Sequence, residues 1–129
     1  MVVIDASALI EYLFDAARYP RIDEIVATRE LHAPHLIDAE IVHGLRSAVI
    51  GKRVDAPRAL AALEDFAALT IQRHGIEPLL ARMWALRQNL TAYDASYVAL
   101  AEALSLSLIT RDARLARSSG HAARIEYIA

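Results

Sequence analysis

The tightest constraint on this chain is a short apolar run that does not alternate. Val2, Val3 and Ile4 stand together and stop at Asp5. A strand with one wet face alternates apolar and polar residues, whereas a continuous β-branched run suits a strand buried on both faces. Burial on both faces is the signature of a parallel sheet. Parallel neighbours need crossover connections, usually helices. A second run, Ser105-Leu106-Ser107-Leu108-Ile109-Thr110, ends the same way, in Arg111-Asp112. The expected class is therefore α/β, a central mainly parallel sheet flanked by helices. Such sheets bind ligands at the carboxyl ends of their strands. Asp5 is expected at that lip, with Ser7 available to cap the following helix. An aspartate there also has an ordinary use as a cap or turn residue.

The remaining pattern is consistent with one domain over residues 1–129. Ala8, Leu9, Tyr12 and Leu13 share one helical face, and Pro20 opens a second helix with Ile22, Ile25 and Val26 as its stripe. Leu31-His32-Ala33 reads as a strand ended by Pro34. A long helix follows from His35 to Ile50, stopping at Gly51, and another runs from Asp55 to Leu69. Thr70-Ile71-Gln72 reads as a short strand. Glu77-Pro78 opens a helix whose Leu79, Leu80, Met83, Trp84 and Leu86 read most simply as core. The helix from Thr91 to Leu104 carries Tyr93, Tyr97, Leu100, Ala101 and Leu104 on one face, and Ile125 to Ile128 reads as an edge strand. Leu9, Tyr12, Leu13 and Phe14 suit either the core or a groove for a partner helix.

Composition narrows the chemistry. Cysteine is absent, which removes disulfides, thiol nucleophiles and thiolate zinc sites. The five histidines are scattered, without a metal-ligand spacing. The N-terminus has no basic leader and no apolar run spans a bilayer, so a soluble cytoplasmic protein is expected. The net charge is −2, yet thirteen of the fourteen basic residues are arginine. Arginine grips phosphate bidentately. Neutralising a few carboxylates with metal would turn the balance positive, so a polyanionic substrate stays open.

Four acids stand out. Asp5 and Asp112 each follow a strand, and Asp94 opens the helix before the last core strand, so a parallel sheet gathers all three at one edge. Glu40 lies beside Ile37 and Gly44 on the edge of a buried stripe. It joins the others if its helix packs over the first strand. Asp94 also has a local role open to it, since Thr91-Ala92-Tyr93-Asp94 has capping-box spacing. Asp38 suits the helix dipole. Two carboxylates about 4 Å apart cost roughly 4 kcal/mol at an effective dielectric of 20. Hard divalent cations relieve that repulsion, and an oxygen-only donor set favours Mg²⁺ or Mn²⁺.

These segments resemble the PIN-domain ribonucleases. The likeness lies in Val3-Ile-Asp-Ala-Ser7, in Pro34-His-Leu-Ile-Asp-Ala-Glu40 followed by Leu45-Arg46, in Thr91-Ala-Tyr-Asp94 running on to Glu102, and in Leu108-Ile-Thr-Arg-Asp112. Within that family the chain looks like a VapC-type toxin, over nearly its full length. The resemblance implies Asp5, Glu40, Asp94 and Asp112 as a metal-binding catalytic quartet, with Ser7 and Thr110 as supporting hydroxyls. It also implies an RNA substrate, a VapB-type antitoxin and a homodimer. The chemistry expected is phosphodiester hydrolysis, with one metal activating water and a second stabilising the leaving oxygen. Arg46, Arg111, Arg114 and Arg117 are candidate phosphate contacts, though each also suits a solvated surface charge.

Two other readings stand beside this one. A PIN-domain RNA-processing nuclease would work without an antitoxin. A receiver-like signalling module is also acidic at its strand ends. It needs an early acidic pair and a late lysine, however, and here Asp5 has no acidic neighbour and Lys52 is the only lysine.

Overall fold

A computed structural model describes residues 1–129. Its centre is a five-stranded sheet in the order β3-β2-β1-β4-β5, all neighbours parallel. The strands are β1 (Val2–Ile4), β2 (Leu31–Pro34), β3 (Ile71–His74), β4 (Leu108–Thr110) and β5 (Ile125–Tyr127). The side chains of β1 are almost wholly shielded from water, as an unalternating run demands. Burying such β-branched side chains contributes about 1.5–3 kcal/mol each.

Seven helices connect the strands: α1 (Ala6–Phe14), α2 (Pro20–Thr28), α3 (Leu36–Ile50), α4 (Ala56–Ala68), α5 (Leu80–Ala85), α6 (Ala92–Leu104) and α7 (Ala113–Ala116). The chain builds β1, β2 and β3 outward in one direction, then returns to lay β4 on the other side of β1. Strand order thus reverses between β1 and β4, and a crevice opens there at the carboxyl edge. A receiver-type sheet has the order 2-1-3-4-5, so this topology sets the receiver-like reading aside.

The core holds α1 through Leu9 and Leu13, with Tyr12 and Phe14 packed beside them. Leu9 and Leu13 of that face are core, while Tyr12 and Phe14 keep part of their surface open. Helix α6 lies on β1 and β2 and is buried on every side from Ala95 to Ala101. No helix is long and apolar enough to cross a membrane.

Several expectations are corrected. The last core strand is only Leu108–Thr110, because Ser105 turns left-handed at φ 55° to end α6. The third strand runs to His74 rather than Gln72. The segment opened by Glu77-Pro78 divides into a 3₁₀ turn, Glu77–Leu79, and the six-residue α5. That short helix buries Leu79 and Leu86 at its ends, while Leu80 and Trp84 face water. Trp84 is 69% exposed, with the Arg87 guanidinium 4.5 Å from its ring centre. Tyr93 is also exposed, since α6 only enters the core at Ala95. Among the histidines, His32 and His74 stack across β2 and β3 with ring nitrogens 2.8 Å apart.

Candidate active site

The crevice is built from the register of the two middle strands. Val3 pairs with Leu108 and Ile4 with Ile109, so the next residues along, Asp5 and Thr110, meet side by side. The Thr110 hydroxyl donates to Asp5 Oδ2. The other oxygen, Oδ1, accepts from the Ser7 hydroxyl at 2.7 Å and from the Ala8 amide at 3.0 Å. Asp5, not Ser7, is therefore the N-cap of α1. Its ordinary use as a cap is therefore realised, at the carboxyl end of β1.

The two hydroxyls are themselves held by backbone. Ser7 Oγ accepts from the Arg111 amide at 3.1 Å, and Thr110 Oγ1 accepts from the Asp112 amide at 3.0 Å. Each hydroxyl thus accepts from the turn after β4 and donates to Asp5, which fixes the direction of both. Asp5 is only 6% exposed. Burial pushes its carboxyl up to about 6, against the lowering effect of the Thr110, Ser7 and Ala8 hydrogen bonds, with a further push from the Glu40 charge.

Glu40 reaches the crevice from α3. The Tyr97 hydroxyl, from α6, donates to Glu40 Oε1 at 2.7 Å. Burial raises the Glu40 carboxyl, the Tyr97 bond opposes this, and Asp94 adds repulsion. The Tyr97 hydroxyl is held protonated by its own burial and by that carboxylate. Reading Tyr97 as part of an apolar stripe missed this role. The available signal was its phenol, because a buried tyrosine hydroxyl usually finds a partner.

Asp94 and Asp112 complete the group. Thr91 caps α6 by accepting from the Asp94 amide at 3.2 Å, but the Asp94 carboxylate does not return the bond to the Thr91 amide. Only half of a capping box forms. Burial raises the Asp94 carboxyl, Asp112 raises it further, Arg114 lowers it, and the Thr91 side chain lowers it slightly. Asp112 caps α7, its Oδ1 accepting from the Arg114 and Leu115 amides at 2.9 and 3.3 Å. The Arg114 guanidinium lies 3.6 Å from Asp94 and 3.8 Å from Asp112.

The four acids form an electrostatically linked series, Asp5 to Glu40 to Asp94 to Asp112. Their oxygens are turned toward Ser7, Thr110, Tyr97 and Arg114, and no three of them close around a single point. Their donor chemistry, all carboxylate oxygen, suits a hard cation.

Two cavities flank the series. One, of about 670 Å³, is polar and is lined by Asp94 with Arg87, Asn89, Arg114 and Arg117. The other, of about 570 Å³, is lined by Ser7 and Glu40 with Ile10, Leu36, His43 and Tyr93.

The basic residues divide accordingly. Arg114 and Arg117 line the polar cavity, together with Arg87, which no sequence signal separates from other surface arginines. Arg46 lies instead along an apolar groove between α3 and α4. Arg111 stacks its guanidinium on Tyr19, 4.6 Å from the ring centre. Asp38 does more than serve a helix dipole, because Arg73 clamps it with Nε and Nη2, each at 2.8 Å.

The family model for the PIN domain matches residues 2–120. This chain belongs to the PIN-domain family. It is also similar to Ribonuclease VapC9 of Mycobacterium tuberculosis, with 43% identity over 115 residues, 89% of this chain and 88% of that one. Among solved structures, this PIN domain superposes on PAE2754 of Pyrobaculum aerophilum with a TM-score of 0.70 and 28% identity, covering 96% and 81% of the two chains. It superposes on VapBC-5 of M. tuberculosis, a member of the VapBC family of toxin–antitoxin systems, with a TM-score of 0.62 and 25% identity, covering 98% and 96%. The quartet thus sits in a PIN domain of the VapC group, as the four motifs imply.

Proposed function

We propose that this chain is a metal-dependent endoribonuclease that hydrolyses RNA phosphodiester bonds as the toxin of a toxin–antitoxin pair. The observation that supports the reading is the placement of Asp5 and Asp112 just after β1 and β4, with Glu40 and Asp94 on neighbouring helices, each acid raising the proton affinity of the one before it in the series. Repulsion and burial raise the proton affinity of three of them. Such a group gains most from a divalent cation. The similarity to a VapC ribonuclease supports RNA as the substrate.

Asp5, Glu40, Asp94 and Asp112 would hold Mg²⁺ or Mn²⁺, which supplies charge for the phosphodiester and lowers the pKa of a bound water. The protein's own residues do the positioning. Thr110 and Ser7 fix Asp5 so that its oxygens cannot swing freely. Tyr97 does the same for Glu40. Arg114 neutralises part of the charge on Asp94 and Asp112, and with Arg87 and Arg117 it offers guanidinium groups to the phosphates beyond the scissile one.

The similarity to VapBC-5 supports a VapB-type antitoxin as partner. A homodimer and a cytoplasmic setting belong to the same reading. The test is cleavage of single-stranded RNA with Mg²⁺ or Mn²⁺, with chelator, and with each of the four acids changed to its amide. Cleavage that survives chelator, or survives all four changes, overturns the reading. Expression with and without a co-expressed antitoxin tests the toxin role. Growth arrest relieved by the partner is expected, and unimpaired growth would favour an RNA-processing nuclease.

A further inference from the structure

Consecutive residues at the start of α6 face different cavities: Asp94 lines the arginine-rich one and Tyr93 the other. Tyr93 is 62% exposed, so its ring is open to a ligand. Its cavity also contains Ser7 and Glu40, so it is continuous with the quartet. The floor is apolar, formed by Ile10 and Leu36, and Gly44 makes room for it. A Cβ at Gly44 would lie 2.2 Å from Ile10 Cδ1. One edge is polar, formed by the exposed His43.

We infer that this cavity is a nucleobase slot, in which Tyr93 stacks the base beside the scissile phosphate and His43 meets the base edge. The inference rests on the ribonuclease reading. Tyr93 adjoins Asp94 in sequence and shares a cavity with Glu40, so a phosphate held at the quartet would put a neighbouring base beside that cavity. A base is flat and aromatic, which matches an exposed ring over an apolar floor. The arginine-lined cavity on the far side of Asp94 suits the charged backbone and not a base. The two cavities would thus separate the strand into a base side and a phosphate side. Tyr93 is a substrate-positioning residue here, with no part in the chemistry.

The test is RNA binding, with Ca²⁺ replacing Mg²⁺ to slow turnover. The probe is a labelled single-stranded RNA of about ten nucleotides, carried through a series in which each base in turn is removed. Tyr93→Ala is expected to weaken binding by about tenfold, and Tyr93→Leu by nearly as much, because leucine keeps apolar bulk but cannot stack. Tyr93→Phe should stay within about twofold of wild type. At one position, base removal should weaken the wild type by about tenfold and Tyr93→Ala hardly at all. Wild-type affinity in Tyr93→Ala, or equal loss in both proteins at every abasic position, overturns the slot and leaves the ribonuclease reading standing. So does a Tyr93→Ala protein that binds RNA normally but loses an amphipathic helical peptide of the antitoxin. A wild type that binds no RNA overturns both.

Discussion

The two halves of the carboxylate site are built on different principles. Asp5 is almost fully buried, and both its oxygens are held by hydroxyls that are themselves held by backbone amides. Asp94 and Asp112 lie at helix starts near the surface, and the side chain they share is an arginine that is 74% exposed. The inner half is organised like core, with its orientation set when the strands pair. The outer half is organised by charge and can respond to whatever cation approaches. On the metal-dependent nuclease reading, Asp5 would be a fixed ligand and Asp94 and Asp112 adaptable ones.

The contrast can be tested, beginning where the effect is largest. Changing either Asp5 or Asp94 to Asn should lower metal-dependent RNA cleavage by on the order of 10²–10³-fold. The halves separate in stability. In chelator, Asp94→Asn should melt no lower than wild type, because it relieves repulsion from Asp112 and Glu40. A large drop would assign Asp94 a structural role and break the comparison.

Next comes pH. Burial raises Asp5 to about 6 from an ordinary 3.8, so the folded chain holds a proton that the unfolded chain releases between those values. Stability from this group is therefore lost as pH rises from about 4 to about 6, by roughly 3 kcal/mol. Denaturant titrations in chelator should show wild type losing ground to Asp5→Asn across that window. Parallel curves would show that Asp5 is not desolvated.

Thr110→Val should cost about 1–3 kcal/mol at pH 7, since it leaves a buried carboxylate without one donor. Equilibrium unfolding measures it, and a cost under about 0.5 kcal/mol would mean the inner half is not fixed by its hydroxyls. The smallest effect belongs to Arg114→Gln, whose exposed ion pairs contribute within about 0.5 kcal/mol. Its thermal shift on adding Mn²⁺ should exceed that of wild type, because a competing cation has been removed. An unchanged shift would deny the outer half its electrostatic control.

The same contrast explains what could be read in advance. The strand before Asp5 was legible because burial on both faces erases alternation, and β4 was legible for the same reason. Its start was not, because Ser105 takes a left-handed turn that apolar content does not reveal. The four acids and the hydroxyls of Ser7 and Thr110 are legible as motifs in order, but which oxygen each hydroxyl meets depends on the β1–β4 register, which joins residues 105 positions apart. Trp84, read as core, and Tyr93, read on the apolar face of its helix, are both exposed, because helical periodicity identifies a face without telling whether anything covers it. The clamp between Arg73 and Asp38 spans 35 positions and leaves no trace in spacing.

The pairing of β1 with β4 also has a consequence for timing. Strand β1 waits for a partner near residue 110 before the middle of the sheet can close. Strands so distant in sequence join slowly, and chains emerge from the ribosome at only about 5–20 residues per second. A half-synthesised copy owns Asp5 and Glu40 but has no Thr110 to aim the first and no Tyr97 to aim the second. The carboxylate site is therefore among the last parts of the fold to be completed.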